Sequence, residues 1–272
     1  MSEKNGRYAR LFDRLKKNKE GAFIPFVMLG DPTREASFDI LRTLADSGAD
    51  ALELGIPFSD PIADGPVIQT AAGRALGAGA TPAMCFDVIK KIRERHPVLP
   101  IGLLVYANLV VGSSPEAFYR LASESGVDSV LIADAPLETD PIFARFAERE
   151  NIDTVYVVPP NADDDKLVKI ARVCRCYTYF LGRSGVTGAD REMRAPDSRA
   201  MELLRGAGAP PIVVGFGISR PEHVRSALMA GADGAISGSA TVAIIEKNLD
   251  DPGKTRVELA NFVRSMKDAT IF

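Results

Sequence analysis

One acidic residue stands inside an apolar run of the sequence, where it could transfer protons. The run 51–55 is predicted to be a strand, along which side chains alternate between two faces. If Leu52 and Leu54 meet outer helices, Glu53 points into the interior of the fold. Burial costs a carboxylate hydration and raises its pKa, here to about 6–7, where it exchanges protons near neutrality. A structural ion pair is the alternative, although no basic residue lies near Glu53 in the sequence.

A second candidate acid lies in the loop that follows this strand. Residues 58–66 read Phe-Ser-Asp-Pro-Ile-Ala-Asp-Gly-Pro, so Asp60 and Asp64 both suit turns and helix caps. Asp64 follows Glu53 on a loop at the end of the predicted strand, and paired carboxylates can divide acid and base work. The sequence favours Glu53 and Asp64 as an acid/base pair and leaves a turn-forming role open for both aspartates.

Two glycine-containing segments near the end of the chain could bind a phosphate. Gly215, Phe216 and Gly217 end one predicted strand, while Gly238 and Ser239 end the next, just before a helical pattern over 240–247. Glycines let the backbone approach an anion, and free N–H groups at a helix N-terminus attract it without help from lysine or arginine. Turn formation is the alternative for each segment. Their occurrence together favours a phosphate site.

The predicted strand 177–181 places two phenols, Tyr177 and Tyr179, on one face. They either fill the interior or donate hydrogen bonds to a substrate. The following segment, 182–188, contains glycines and small polar residues that suit a loop closing over the site.

Several other chemistries lack their residues. No lysine lies at a predicted strand end, so an aldolase that forms a Schiff base has no nucleophile. His96 and His223 fall before a strand and in a helix, which leaves no histidine-ligated zinc site. The acids within 161–165 open a helix whose dipole satisfies them, and no metal is predicted.

An alternation of strands and helices must position these residues. Helical patterns separate eight apolar runs, and parallel strands need such crossovers. The predicted strands are 22–29, 51–55, 101–106, 129–133, 154–158, 177–181, 212–215 and 234–237. The pattern predicts an α/β fold, a (β/α)8 TIM barrel whose active site lies at the carboxyl ends of the strands. An open doubly wound sheet is the alternative, because local patterns do not show closure.

Helix ends agree with this architecture. Extra helices are predicted over 8–17, at the N-terminus, and over 255–267, together with the short phosphate-binding helix after strand eight. Ser114 before Pro115 predicts a helix start, and Ser219 to Glu222 reads as a capping box. A Gly-x-Asp junction recurs at 48–50, 126–128 and 231–233, where glycine can end a helix in the left-handed conformation.

Length and charge bound the remaining possibilities. The chain has 272 residues, near the ~250 typical of one barrel, so residues 1–272 are predicted to form one domain. With 33 basic and 36 acidic residues the net charge is −3, and no basic block indicates nucleic acid or a membrane as a partner. Three cysteines without a CxxC pair fit reduced thiols in the cytoplasm.

Several segments resemble the tryptophan synthase alpha chain, nearly from end to end. The stretch from Leu52 to Pro61 is the most specific. The other matching segments are 21–26, 63–66, 102–104, 106–108, 183–188, 215–218 and 235–239. The resemblance implies reversible retro-aldol cleavage of indole-3-glycerol phosphate to indole and glyceraldehyde 3-phosphate.

The resemblance also implies a role for each matching residue. Glu53 would move protons at indole C3 and the C3′ hydroxyl, Asp64 would assist at the indole nitrogen, and Tyr179 would lie beside the substrate. The residues implied to line the indole pocket are Phe26, Leu104 and Phe216, with Thr187 in the closing loop. Those implied to hold the phosphate are Gly188, Gly217, Gly238 and Ser239.

The family works with a partner, so the resemblance implies an α2β2 heterotetramer with a tryptophan synthase beta chain. Pyridoxal phosphate would belong to that beta chain, and this chain would carry no cofactor. Two other functions stay open at this point. One is an isomerase or synthase acting on pentose phosphates, and the other is a subunit that binds a ligand without catalysis.

Overall fold

A parallel β-sheet forms the centre of the molecule. The computed structural model describes residues 6–137, 140–182 and 197–271. The strands are β1 Ala22–Met28, β2 Leu52–Gly55, β3 Ile101–Val105, β4 Ser129–Ile132, β5 Asp153–Thr154, β6 Val157–Val158, β7 Thr178–Leu181, β8 Ile212–Gly215 and β9 Gly234–Ser237. Their order in the sheet is β5-β4-β3-β2-β1-β9-β8-β7-β6, with parallel pairing throughout.

The two edges of this sheet belong to one extended segment. Its first half, β5, pairs with β4, and its second half, β6, pairs with β7. Between them Val155 N–H donates to Val130 O at 3.1 Å, while Tyr156 O accepts from Tyr179 N–H at 3.2 Å. The segment therefore closes the sheet into a barrel. The eight predicted strands are confirmed, with the fifth divided in two.

Helices follow the strands and surround the barrel. They are α1 Arg7–Asn18, α2 Arg34–Asp46, α3 Pro66–Gly77, α4 Pro82–Arg95, α5 Ala107–Val111, α6 Pro115–Ser125, α7 Asp140–Arg149, α8 Asp164–Val173, α9 Ser198–Gly206, α10 Pro221–Met229, α11 Ser239–Lys247 and α12 Pro252–Asp268. The predicted helices at the N-terminus, at the C-terminus and after the last strand are confirmed as α1, α12 and α11. None of the described helices combines the length and apolar character that crossing a membrane requires.

Apolar side chains pack in two layers. Leu52, Leu54 and their neighbours form the layer between the strands and the outer helices. The inner layer fills the barrel and includes Phe26, Ile236 and the α1 residue Tyr8. The alternation predicted along β2 is therefore confirmed, since its leucines face outward.

The three Gly-x-Asp junctions share one structure. Their glycines have positive φ, as predicted, at Gly48, Gly126 and Gly231. Each aspartate accepts a hydrogen bond from the first backbone N–H groups of a neighbouring strand: Asp50 from Phe23, Asp128 from Ile101 and Asp233 from Ile212. The repeated motif thus connects each helix end to the amino-terminal edge of the barrel.

Two predicted helix starts had different outcomes. Ser114 caps α6 as predicted, because its hydroxyl accepts from Ala117 N–H at 3.2 Å. The capping box at Ser219 is wrong, since Arg220 is the N-cap of α10 and no side chain caps that helix. The Ser219 hydroxyl lies 3.3 Å from His223 Nδ1 instead. That residues 1–272 form one domain stays a prediction.

Candidate active site

Glu53 points into the barrel from β2. Its neighbours in the sheet are Phe26 of β1 and Gly102 of β3, and Glu53 is only 2% exposed. The Tyr177 hydroxyl donates to Glu53 Oε1 at 3.3 Å. Within the described part of the chain, no lysine, arginine or histidine forms an ion pair with Glu53. Among the described residues Glu53 therefore has no partner for a structural ion pair and is a buried carboxyl with a phenol as its donor.

The environment of Glu53 favours its protonated form. Burial raises the pKa of Glu53 from 4.5 to about 8, and the hydrogen bond from Tyr177 only partly opposes the shift. This pKa is higher than the 6–7 expected from the sequence. At neutral pH Glu53 consequently holds a proton that it can give to a substrate.

We expect this proton to make the stability of the protein pH-dependent. Between about pH 4.5 and 8, folded Glu53 keeps a proton that the unfolded chain has lost, so the free energy of unfolding falls as the pH rises. The variant Glu53→Gln lacks this dependence. The free energy of unfolding of Glu53→Gln, measured with urea and expressed relative to the wild type, should therefore be higher at pH 9 than at pH 5. An equal difference at both pH values would contradict a raised pKa.

Asp64 is held by a tyrosine that the sequence analysis missed. The Tyr106 hydroxyl donates to Asp64 Oδ2 at 3.0 Å and accepts from Ala63 N–H at 3.1 Å, and its ring stacks on Phe58. Burial raises the pKa of Asp64 to about 6, and the bond from Tyr106 lowers it in part. Asp60 is exposed and does not line the cavity, and its backbone oxygen accepts from Ile62 N–H in the turn. In the sequence, Tyr106 was marked only as the first residue of the matching segment 106–108.

A single cavity of about 230 Å³ brings the predicted residues together at the carboxyl ends of the strands. It is lined by these predicted site residues: Phe26, Glu53, Asp64, Leu104, Tyr179, Phe216, Gly217, Gly238 and Ser239. Thr187 and Gly188 lie outside the described residues. Apolar side chains that the sequence analysis did not single out complete the wall: Ile68, Leu131, Val157, Leu181 and Ile236.

One end of the cavity is formed by backbone. Phe216 and Gly217 have φ of 70° and 90°, which turns the chain sharply after β8. Gly238 is the N-cap of α11 and makes no side-chain cap, so the first N–H groups of that helix are left without a side-chain acceptor there. Among the described residues the cavity wall contains no lysine or arginine. This end can bind an anion through N–H groups and the helix dipole.

Tyr179 lies beside both carboxyl groups. Its pKa is raised well above 10, first by burial and then by the charges of Glu53 and Asp64. Its ring meets the edge of Phe216 at a centroid distance of 6.3 Å. A side chain at Gly215 would overlap the Tyr179 ring, so the close approach of β8 requires glycine. The cavity therefore combines two carboxyl groups, aromatic walls and a backbone segment that can bind an anion.

Comparison with known proteins agrees with this geometry. The family model of the tryptophan synthase alpha chain matches residues 12–271. The chain belongs to the tryptophan synthase alpha chain family.

Relatives and solved structures support this membership over almost the whole chain. The tryptophan synthase alpha chain of Salmonella paratyphi C is 55% identical over 264 residues, which cover 97% of this chain and 98% of that one. Tryptophan synthase subunit alpha of Legionella pneumophila has a TM-score of 0.86 at 28% identity and covers 97% and 98% of the two chains. A chain of the tryptophan synthase α2β2 complex of Pyrococcus furiosus has a TM-score of 0.80 at 33% identity, covering 91% and 98%.

Other groups that could do chemistry lie away from this site of the alpha chain. Cys85, Cys174 and Cys176 are buried and form no disulfide in the described part of the chain. Lys90 and Lys91 lie in α4, Lys166 and Lys169 in α8 and Lys247 in α11, and none of these lysines is at a strand end. Asp163 caps α8 by accepting from Lys166 N–H at 2.8 Å, which confirms its helix-capping role. Within the described ranges no group of acidic, histidine or cysteine side chains could hold a metal ion.

Proposed function

We propose that Glu53 and Asp64 carry the acid/base chemistry by which this tryptophan synthase alpha chain cleaves indole-3-glycerol phosphate. The products are indole and glyceraldehyde 3-phosphate, and the reaction is reversible. The observation that carries this proposal is the position of Glu53, a buried carboxyl with no cationic partner in the described structure, in the same cavity as the anion site.

Glu53 first acts as the acid. Its proton moves to indole C3, which converts the ring into an electron-deficient iminium and replaces the imine that a lysine would form. The resulting carboxylate then takes the proton of the C3′ hydroxyl. The bond between C3 and C3′ breaks, its electron pair restores the indole ring, and the oxygen forms the aldehyde. Glu53 ends protonated, so one carboxyl serves both steps.

Asp64 assists at the indole nitrogen. Positive charge develops there when C3 is protonated, and a carboxylate with a pKa of about 6 is mostly ionised at neutral pH. Tyr106 keeps this carboxylate at the cavity. Asp64 therefore stabilises the intermediate electrostatically while Glu53 transfers the protons.

The cavity wall fits the rest of the substrate. Phe26, Leu104 and Phe216 would contact the indole ring, and Tyr179 would lie beside it. Their apolar surfaces exclude water from the reacting carbons. The proposed phosphate contacts are Gly217, Gly238 and Ser239 from the described residues, together with Gly188, while Thr187 belongs to the closing loop.

The partner in this proposal is a tryptophan synthase beta chain in an α2β2 heterotetramer, which receives the indole for L-tryptophan synthesis. Ile62, in the loop before Asp64, is 76% exposed, and Val111, the last residue of α5, is 48% exposed, so both segments offer apolar surface to a partner. Pyridoxal phosphate belongs to the beta chain, and the proposed steps use no cofactor on this chain. Cysteines that form no disulfide among the described residues fit action in the cytoplasm.

A direct assay tests the function. The full chain is purified, and indole release from indole-3-glycerol phosphate is followed with and without a beta chain. The proposal requires release by the chain and its change on adding the partner. Binding of the substrate without any indole release would favour a non-catalytic subunit. Turnover of a pentose phosphate instead would favour the isomerase alternative.

We expect a bell-shaped dependence of kcat/KM on pH. The free enzyme must hold the Glu53 proton, whose pKa is about 8, and must have lost the Asp64 proton, whose pKa is about 6. Activity therefore rises with pH through the Asp64 transition and falls through the Glu53 transition.

The variant Tyr106→Phe should move only the acidic limb. The Tyr106 hydrogen bond stabilises ionised Asp64, so its loss raises the pKa of that carboxyl and shifts the limb to higher pH. Tyr156→Phe is the control, because Tyr156 does not line this cavity. An acidic limb that stays in place in Tyr106→Phe would contradict the role of Asp64.

A further inference from the structure

Two parts of the proposed site lie next to two different helices. Asp64 precedes Gly65, the N-cap of α3, and its backbone oxygen accepts from Gln69 Nε2 at 2.7 Å. Gly238 and Ser239 begin α11. The binding of a substrate that contacts both Asp64 and the anion site therefore depends on the relative positions of α3 and α11.

Arg74 connects these helices. From α3, its Nε and Nη2 donate to the two carboxylate oxygens of Asp31 at 2.8 and 3.0 Å. Its Nη1 donates to Glu246 Oε1, on α11, at 2.8 Å. The guanidinium of Arg74 thus donates hydrogen bonds both to the loop that follows β1 and to α11, the helix that begins at the anion site.

The Asp31 end of this connection is rigid. Its side chain is fully buried, and within the described residues Arg74 is its only cationic partner. The bidentate geometry fixes the plane of the guanidinium, which a single charge contact would not do. Glu246 is 39% exposed, so this partner can be changed at little cost to folding.

The link lies at the same depth behind both helix N-termini. At the helical rise of ~1.5 Å per residue, Arg74 is about 12 Å along α3 from Pro66, and Glu246 is about 11 Å along α11 from Ser239. The link therefore limits how far the two helices can move relative to each other.

We propose that Arg74 is a positioning residue, which sets the span between Asp64 and the anion site by holding α3 and α11 together through Asp31 and Glu246. This inference rests on the proposed function. Arg74 does not line the cavity, so it acts without touching the substrate.

Two variants test the link in the full chain. Arg74→Lys keeps a positive charge beside Asp31, but an ammonium cannot bind both oxygens of Asp31 and Glu246 with the same geometry. Glu246→Ala removes the α11 contact and leaves the buried pair intact. Lys247→Ala is the matched control, because Lys247 is on the same turn of α11 and pairs with Glu258 of α12.

Three measurements separate positioning from a structural role. They are kcat/KM for indole-3-glycerol phosphate, Kd for glycerol 3-phosphate, and Tm. Both variants should lower kcat/KM by about tenfold, since a misplacement of about 1 Å can cost up to ~100-fold. Glycerol 3-phosphate reaches only the anion site, so its Kd should stay near the wild-type value. The double variant should lose no more activity than Arg74→Lys alone, because both changes break one link.

The remaining outcomes contradict the inference. Wild-type kcat/KM in Glu246→Ala and Arg74→Lys would show that the link does not position the site. Weaker glycerol 3-phosphate binding in step with the loss of kcat/KM would assign the effect to the anion site itself. A fall in Tm that accounts for the lost activity would leave Arg74 a structural role only. An inactive wild-type chain would instead contradict the proposed function.

Discussion

Replacing Glu53 by Gln is expected to slow indole release by about 10²- to 10⁴-fold, the usual contribution of one general acid/base group. The amide has nearly the same shape as the protonated carboxyl and can still accept the hydrogen bond from Tyr177. It cannot give a proton to indole C3 or take one from the C3′ hydroxyl. The loss should therefore appear in kcat, measured by indole release at saturating substrate.

The matched control for this variant is a partly buried acid outside the cavity. Burial raises the pKa of Asp153 to about 6, yet this residue begins β5 and does not line the site. Asp153→Asn should keep the wild-type kcat. Retained cleavage by Glu53→Gln, with folding shown by circular dichroism, would remove Glu53 from the mechanism.

The variant Gly238→Asp is expected to raise KM by at least about tenfold and to change kcat much less. Like charges about 4 Å apart repel by ~1 kcal/mol in water and ~4 kcal/mol near a protein surface, and ~1.4 kcal/mol is a factor of ten. Aspartate is also a favourable N-cap, so its carboxylate would bind the N–H groups of α11 that the phosphate needs. Steady-state kinetics with indole-3-glycerol phosphate measures the change.

Gly238→Ala separates charge from size. Gly238 has a φ of −98°, and a Cβ there would meet only Phe26 at 3.8 Å, an ordinary contact. Alanine should therefore leave KM close to the wild-type value. Equal values of KM in the alanine and aspartate variants would place the phosphate elsewhere.

Local sequence patterns were sufficient for most of the barrel because parallel strands buried on both faces read as short apolar runs between helices. The exception was the fifth run, where Thr154 ends one strand and Val157 starts the next. The change of partner between them depends on barrel closure, which no local pattern contains. The predicted capping box was wrong for a local reason: α10 begins one residue later than the pattern indicated, so that Arg220 and not Ser219 is the N-cap.

The candidate site was predictable where a residue type itself carries the chemistry. A glutamate within an apolar strand and glycines at two successive strand ends are such signals. Tyr106 and Tyr177 were harder, because they act through contacts with residues about 42 and 124 positions away in the chain. The pKa of Glu53 was underestimated because the sequence did not show how completely the fold buries this carboxyl, with no cation beside it among the described residues.

Helix α1 closes one end of the barrel to small molecules. Tyr8 lies deep in the amino-terminal end of the barrel, with its ring 5.4 Å from that of Tyr177 and its hydroxyl 3.4 Å from Ser129 Oγ. Because Tyr8 fills the barrel interior at this end, a small molecule cannot pass along the barrel axis from one end to the other. Among the described residues the cavity lies at the carboxyl ends of the strands, so a partner bound over that face would control which small molecules reach the site.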